Sequence, residues 1–409
     1  MNKQEFYREA REDLTGPLAN VRVVEVGTTW AGPMCGCILA DLGADIVKVE
    51  PPGGDVTRRL PPFLPGTDPP VSFAHATVNR NKRCICLDLS RPEGSGLFRR
   101  LVGRTDVIVQ NLRPGAMERL GLGYEDLRSI RRDLIYVSIS GWGQFGSERE
   151  RAGYDPLAQA ASGWLAQNGD PETPPTKAPT FLGDDLAGLH AATTALAALH
   201  HRDRTGEGQH IDVSLLDSLL FQSNGFLTLG ALGVDLPRLG NRFVVAAPAN
   251  VYDATDGRVM AGVLSDRHWS ILARVLGRPE LADHPDYATA AARVRRRDEV
   301  DGLLAGWIES RTASEAVEIL CGAGLGAAEV RSYGDAARDP HVKARDMLQP
   351  TTVEDGSVVP ITGPAAKLSR TPTRVRTGAP ALGAHTDEVL SELGLDADER
   401  AELRERGIV

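Results

Sequence analysis

The sequence predicts an α/β protein: a large domain built on a parallel sheet with crossover helices, and a smaller α+β domain after it. Three observations carry this. β-Branched runs of strand length, VRVVEV (21–26), DIVKVE (45–50) and DVIVQN (106–111), recur along the first half with helical stretches between them. Strand–helix–strand order requires parallel pairing, because only a long crossover returns the chain to the same edge direction. The chain has 409 residues, which exceeds one ordinary core, so two domains are the expectation.

Taken in order, VRVVEV ends at Gly27, which opens a turn into the helical stretch PMCGCILADLGA, and Gly43 then leads into DIVKVE, broken by PPGGD (51–55). The first turn, GTTWAG, lacks the G-x-G-x-x-G spacing of a dinucleotide site, so a nicotinamide cofactor is not indicated. A ligand can still sit at the carboxyl ends of such strands, where the loops face outward. NKRCICLDL supplies a further strand, GLFRRLVG a helix, and DVIVQN a strand that exits at Asn111, Arg113 and a helix carrying Arg119. Asn, Arg and backbone N–H groups at a strand end suit a phosphate-bearing ligand. DLIYVSISGWGQFG is another strand with a glycine-rich exit, AGYDPLAQAASGWLAQ a small-residue helix, and HIDVSLLDSLL a strand running into a helix. From about residue 225 the character changes to a smaller α+β region. Residues 349–383 read as loop, and a final helix starts at Thr386.

Composition narrows the function. A net charge of −9 and no basic block beyond RVRRR (293–297) leave no footprint for nucleic acid. The polar N-terminus, the absence of a long apolar run and an odd count of five cysteines fit a cytoplasmic protein. The pairs Cys35/Cys37 and Cys84/Cys86 have one residue between them, where structural zinc prefers two to four, so buried thiol packing is expected and no metal. The histidines form no ligand spacing, and no G-x-S-x-G elbow is present, which removes the common hydrolase classes.

The stretch TFLGDDLAGLHAATTALAALHH (180–201) sets two adjacent carboxylates, Asp184 and Asp185, after a glycine and before a small-residue helix expected from Leu186. An Asp there can simply cap the helix, accepting from the free N–H groups of the first turn. It can also be a carboxylate held in a tight turn to attack an electrophile.

The ordered motifs VRVVEVGTTWAGP, LADLGADIVKVEPPGGD, NKRCICLDL, VIVQNLRPGAMERLGL, YVSISGWGQFG, AGYDPLAQAASG, GDDLAGLHA and RTGEGQHIDVSLLDS together resemble the class III coenzyme A transferases. That superfamily also contains acyl-CoA racemases of the same fold. The resemblance implies a Rossmann-like large domain (1–224), a small α+β domain (225–330), and a linker with a C-terminal part (331–409) returning to the large domain, two such chains interlocking as a homodimer. It implies transfer of CoA from an acyl-CoA to a free carboxylic acid, with acyl-CoA as substrate and no permanently bound cofactor. Asp184 aligns with the catalytic aspartate, which would form an acyl anhydride and then an aspartyl-CoA thioester, while Asp185 stands at a variable position. The resemblance carries CoA contacts to Trp30 and Ala31, to Leu87, Asp88, Leu89 and Ser90, to Asn111, Leu112, Arg113 and Arg119, and to Tyr154 and Asp155 beside the thioester. Trp30 departs from the Gln of formyl-CoA transferases, and LGNRFVVAAPA (239–249) lacks their run of glycines. Tyr154-Asp155 stands where the racemases carry His-Asp. A tyrosine, with a reference pKa of about 10, is a poor base at neutral pH, which favours the transferase.

Overall fold

The computed structural model describes residues 1–409, and the chain divides into two compact units. The first comprises Met1–Trp164, Ala178–Thr228 and Pro340–Val409; the second comprises Leu165–Lys177 and Leu229–Asp339.

The first unit is organised by a sheet of six strands: β1 (Arg22–Val26), β2 (Asp45–Glu50), β3 (Lys82–Cys86), β4 (Val107–Gln110), β5 (Ile135–Ser140) and β6 (His210–Ser214). Their order is β3-β2-β1-β4-β5-β6, every pairing is parallel, and Val24 of β1 lies between Val47 of β2 and Ile108 of β4. Successive residues of each strand face opposite sides, so the sheet carries a core on both faces. Val23, Val107, Val137 and Ile139 pack with Ala187, Ala191, Ala195 and Ala198 on one side. Val24, Val47, Ile108 and Tyr136 pack with Phe98, Leu101, Leu127 and Leu390 on the other.

The alanine-rich helix spans Leu182–Thr205 and stops at Gly206, whose φ of 76° is the left-handed conformation that ends helices at low steric cost. It begins four residues before the Leu186 expected from sequence, so Asp184 and Asp185 lie inside its first turn. A small-residue face lets it approach the helix Ala31–Asp41 closely: a Cβ added at Gly188 would sit 2.9 Å from the Met34 side chain and 3.1 Å from the Ala31 carbonyl oxygen. AGYDPLAQAASGWLAQ is two short helices, Asp155–Ala161 and Trp164–Gln167, separated at Gly163.

The chain end covers the outer strand. The Cys84 carbonyl accepts the His385 N–H at 2.9 Å and the Cys86 N–H donates to Thr386 Oγ1 at 3.0 Å, so the exposed edge of β3 is satisfied. Two helices follow, Thr386–Glu392 and Ala397–Glu405, where the sequence suggested one. Part of the stretch read as loop is an antiparallel hairpin, Leu348–Thr352 with Val358–Thr362, whose alternation is too short and too Pro-rich to stand out.

The second unit has its own antiparallel sheet of Ala249–Asp253, Arg258–Gly262 and Gly326–Glu329, with a core of Trp269, Leu272, Val300, Leu304 and Ile308. The Pro-rich segment belongs here: Arg238 Nε donates to the Asp170 carbonyl at 2.9 Å, and Gln167 Nε2 to that of Leu236 at 2.9 Å. The basic run 293–297 is partly structural. Arg293 is buried, donates to the Ala247 carbonyl and lies over the Trp269 ring. No helix is long and apolar enough to cross a membrane.

Candidate active site

From β1 the chain runs outward through β2 to β3, then returns to place β4 against the other side of β1. Successive crossovers therefore leave in opposite directions at β1 and β4, and the crevice beyond their carboxyl ends is where such sheets bind ligands. Two segments line it: Gly27–Trp30 after β1, and Asn111–Arg113 after β4. Asn111 locks them together, accepting from the Thr28 N–H at 2.9 Å through Oδ1 and donating to the Thr28 carbonyl at 2.8 Å through Nδ2. The close fit needs Gly32, because a Cβ there would lie 2.9 Å from Asn111 Cγ. The Asn111 amide is thus spent on the turn, which leaves its main chain to meet a ligand.

Trp30 and Ala31 begin the helix after β1 and are both buried. Trp30 sits among Ala74, Val78, Met34 and Phe73, and its ring meets Phe181 edge-on with centroids 5.0 Å apart. Its indole Nε1 donates to Asp185 Oδ1 at 2.6 Å.

The two carboxylates occupy different surroundings. Phe181, at the N-cap position, has no polar side chain, so the helix start is held from outside by Asp155, whose Oδ1 accepts the Gly183 N–H at 2.6 Å. Gln159 steadies Asp155 through a 2.7 Å bond and accepts the Ala178 N–H at 2.8 Å. Burial, then Asp155 and Asp185, push the Asp184 carboxyl up to about 7. Asp185 is also raised, first by burial, but the indole N–H opposes the rise by favouring its ionised form. Of the adjacent pair, Asp185 is the one with a donor aimed at its negative charge.

The remaining expected positions divide. Tyr154 is 60% exposed at the start of its helix, whereas Asp155 is 2% exposed and bound to the helix carrying the acid pair, so it acts on that helix. Leu87 is buried in the core, so its side chain is not presented to a ligand. Asp88 and Ser90 form a local turn, with Asp88 Oδ1 accepting both the Ser90 N–H and its hydroxyl, and Leu89 packs at the core margin. Leu112 N–H donates to Gln110 Oε1, and Arg113 and Arg119 are exposed with their charges available. The buried Cys84 thiol is pushed up to about 12 by burial and lies against Glu50, a packing role.

Sequence reasoning missed a group beneath this turn. Glu25 of β1, Lys48 of β2 and Lys82 of β3 are fully buried, and Asp55 joins them from the loop after β2. A signal existed: an acid at the centre of VRVVEV and a lysine at the centre of DIVKVE interrupt otherwise apolar buried strands.

The model of CoA-transferase family III matches residues 18–386. The chain is 36% identical, over 96% of its length and 98% of the relative's, to the succinyl-CoA–D-citramalate CoA-transferase of Chloroflexus aurantiacus. It is 37% identical, over 92% and 96% respectively, to the succinate–glutarate CoA-transferase of Agrobacterium fabrum. The crystal structure of a CAIB/BAIF family protein from Brucella suis superposes with a TM-score of 0.82 at 34% identity, covering 92% of this chain and 99% of that one.

Proposed function

The chain belongs to CoA-transferase family III, and on that premise we propose that it moves coenzyme A from a succinyl-CoA-type donor to a free organic acid through intermediates carried on Asp184. The observation that carries the assignment is the unlike state of the adjacent acids: Trp30 Nε1 donates to Asp185 Oδ1 at 2.6 Å, whereas Asp184, directly after Gly183, is raised to about 7 by burial and its acidic neighbours. A carboxylate whose charge no donor stabilises is the more nucleophilic once ionised, so Asp184 is the acid suited to attack, as the family resemblance implies.

In the reaction, an Asp184 carboxylate oxygen attacks the thioester carbonyl, the C–S bond breaks, and CoA leaves as thiolate, giving a mixed anhydride. The thiolate attacks the aspartyl carbonyl and expels the donor acid, giving an aspartyl-CoA thioester. The acceptor carboxylate then displaces the thiolate to form a second anhydride. Thiolate attack on the acceptor's own carbonyl releases the new acyl-CoA and restores the aspartate. The thioester energy is conserved only if water is kept from the anhydrides, and the Trp30–Phe181 pair forms an apolar wall beside the acid pair. Arg113 and Arg119 are free to meet the phosphates of the nucleotide end.

A homodimer is part of the reading. Phe221, Leu232 and Val245 are each more than 70% exposed, large apolar side chains that a second copy would cover.

The test is intact-mass and peptide analysis after incubation with succinyl-CoA alone. A CoA or succinyl adduct on Asp184, lost in Asp184→Asn and retained in Asp185→Asn, is expected. An adduct on Asp185 would reverse the assignment. No adduct, with rapid α-proton exchange of a 2-methylacyl-CoA in D2O, would replace the transferase by the racemase.

A further inference from the structure

Resting on the assignment of Asp184 above, we propose that Asp155 and Gln159 form a positioning relay that caps the nucleophile's helix from outside and so leaves Asp184 free to attack. The first backbone N–H groups of any helix need an acceptor, and an acid at the third helical position can fold back to close its own cap. This chain does so elsewhere. Asp126 and Asp335, each third in its own helix, accept the N-cap N–H of Gly123 at 3.1 Å and of Ser332 at 3.2 Å. Asp184 holds the same third position in the helix Leu182–Thr205, yet no side chain of that helix closes the cap at Phe181. An Asp184 spent on its own cap would have its charge stabilised and an oxygen occupied.

The relay supplies the acceptor instead. Asp155 Oδ1 accepts the Gly183 N–H at 2.6 Å. Asp155 Oδ2 accepts from Gln159 Nε2 at 2.7 Å, and Gln159 Oε1 accepts the Ala178 N–H at 2.8 Å. The two residues stand one turn apart on the helix Asp155–Ala161, so a single helix face grips both ends of the segment 178–183. That segment carries Phe181, whose ring packs against Trp30, and it delivers the chain to Asp184. Both members of the relay are buried.

The polarity of the relay dictates its chemistry. Ala178 and Gly183 both offer an N–H, so each member must turn an oxygen outward. Two amides doing this would face each other with their NH2 groups, donor against donor. Two carboxylates would face each other with unshared charge. One acid and one amide is the pairing that closes, and the acid stands at Asp155, on the side of the nucleophile. The fit is close at Gly183, where a Cβ would lie 3.0 Å from Asp155 Oδ1 and 3.1 Å from Leu219 Cδ1.

The charged groups facing Asp184 are Asp155, from the neighbouring helix, and Asp185 beside it. The helix Leu215–Phe221 presents the apolar Leu219 to Gly183, and the turn before Ala31 presents the Trp30 indole to Asp185. Burial first, then these two negative charges, pushes the Asp184 carboxyl up to about 7. Asp155 therefore acts on Asp184 twice: it takes over the cap, and its charge makes the neighbouring carboxylate more basic.

Moving the charge along the relay is the test. Full-length wild type, Asp155→Asn, Gln159→Glu and the double variant are assayed for CoA transfer from succinyl-CoA to glutarate across pH, with KM for succinyl-CoA and melting followed in parallel. Asp155→Asn is expected to lower kcat about tenfold, the order expected for loss of a hydrogen bond to a charged group, with KM little changed. Its acid limb should move to lower pH, because Asp184 loses a negative neighbour. Gln159→Glu sets two carboxylates face to face and should also lose rate. The double variant restores an oxygen for each N–H, with the charge one side chain further from Asp184, and kcat should return to within about threefold of wild type. Gln159→Met keeps the Asp155 charge and releases Ala178; it should lower kcat without moving the limb downward, and it covers the case in which Asp155→Asn does not fold. A double variant no faster than the single ones, an unmoved limb in Asp155→Asn, or a wild-type kcat in Asp155→Asn or Gln159→Met would overturn the relay. A raised KM with unchanged kcat would make Asp155 a thioester contact instead. An adduct on Asp185 in wild type would remove the premise, whereas an adduct on Asp184 without rescue would remove the relay alone.

Discussion

Trp30 and Asp185 stand 155 positions apart in the chain, yet the indole Nε1 lies 2.6 Å from the carboxylate Oδ1. The contact joins the first turn of the sheet to the first turn of the long alanine-rich helix, and it ties down Asp185 while leaving its neighbour Asp184 without that donor. Trp30→Phe keeps the ring against Phe181 and removes only the donor. Transfer activity should fall about 10- to 100-fold, matching loss of a bond worth about 1.5–3 kcal/mol. Steady-state kinetics with wild-type-like melting checks it, and unchanged kcat would detach the indole from the chemistry.

Asp184→Asn should lose transfer by about a thousandfold or more, since an amide cannot form the anhydride, whereas Asp185→Asn should keep most of it. The same pair of variants read by rate and by adduct must agree.

Asp184 also predicts a pH dependence of stability. Its carboxyl is raised from 3.8 to about 7, so between those values the folded state binds more protons than the unfolded state. Stability from this group is full below pH 4 and lost as pH rises through 7. Asp184→Asn should therefore stabilise the protein at pH 8 relative to pH 5, by on the order of 1–3 kcal/mol. Asp55 and Glu50 act in the opposite sense and in a different window: both carboxyls are lowered to about 2, and their contribution is lost only as pH falls below about 4. Thermal melts of wild type and Asp184→Asn at pH 5 and 8 separate the two; an equal gain at both pH values would refute the shift.

Gly36→Ala tests the packing over the buried charges. The new methyl would sit 2.0 Å from Glu25 Oε2 and drive that carboxylate off its two lysines. Breaking a buried ion pair costs about 3–5 kcal/mol, and a loss of that size is expected in urea denaturation. A change below about 1 kcal/mol would show that the helix Ala31–Asp41 can shift to make room.

Arg119→Ala should weaken CoA binding by about 1.5–3 kcal/mol in calorimetry while leaving melting unchanged, because the side chain is exposed. Unaltered affinity would remove Arg119 from the nucleotide end.

The sequence by itself determined the parallel sheet. VRVVEV, DIVKVE, DVIVQN and DLIYVSIS are local apolar runs whose intervening helices dictate parallel pairing, and each became a strand within a residue or two of its expected bounds. It also determined the family, because ordered motifs survive in the chain whatever their spatial partners. Tertiary structure decided the rest. Which of Asp184 and Asp185 meets a donor depends on the helix starting at Leu182 and on the angle at which it crosses Ala31–Asp41, a matter of small-residue packing at Gly188. Asn111, expected from the sequence as a ligand contact, also bonds Thr28, and hydrogen bonds across 83 positions leave no local trace. The same holds for Glu25, Lys48, Lys82 and Asp55. Each is an ordinary charged residue in its own segment, and only the stacking of three adjacent strands brings them together, away from water, beneath the turn that carries Trp30.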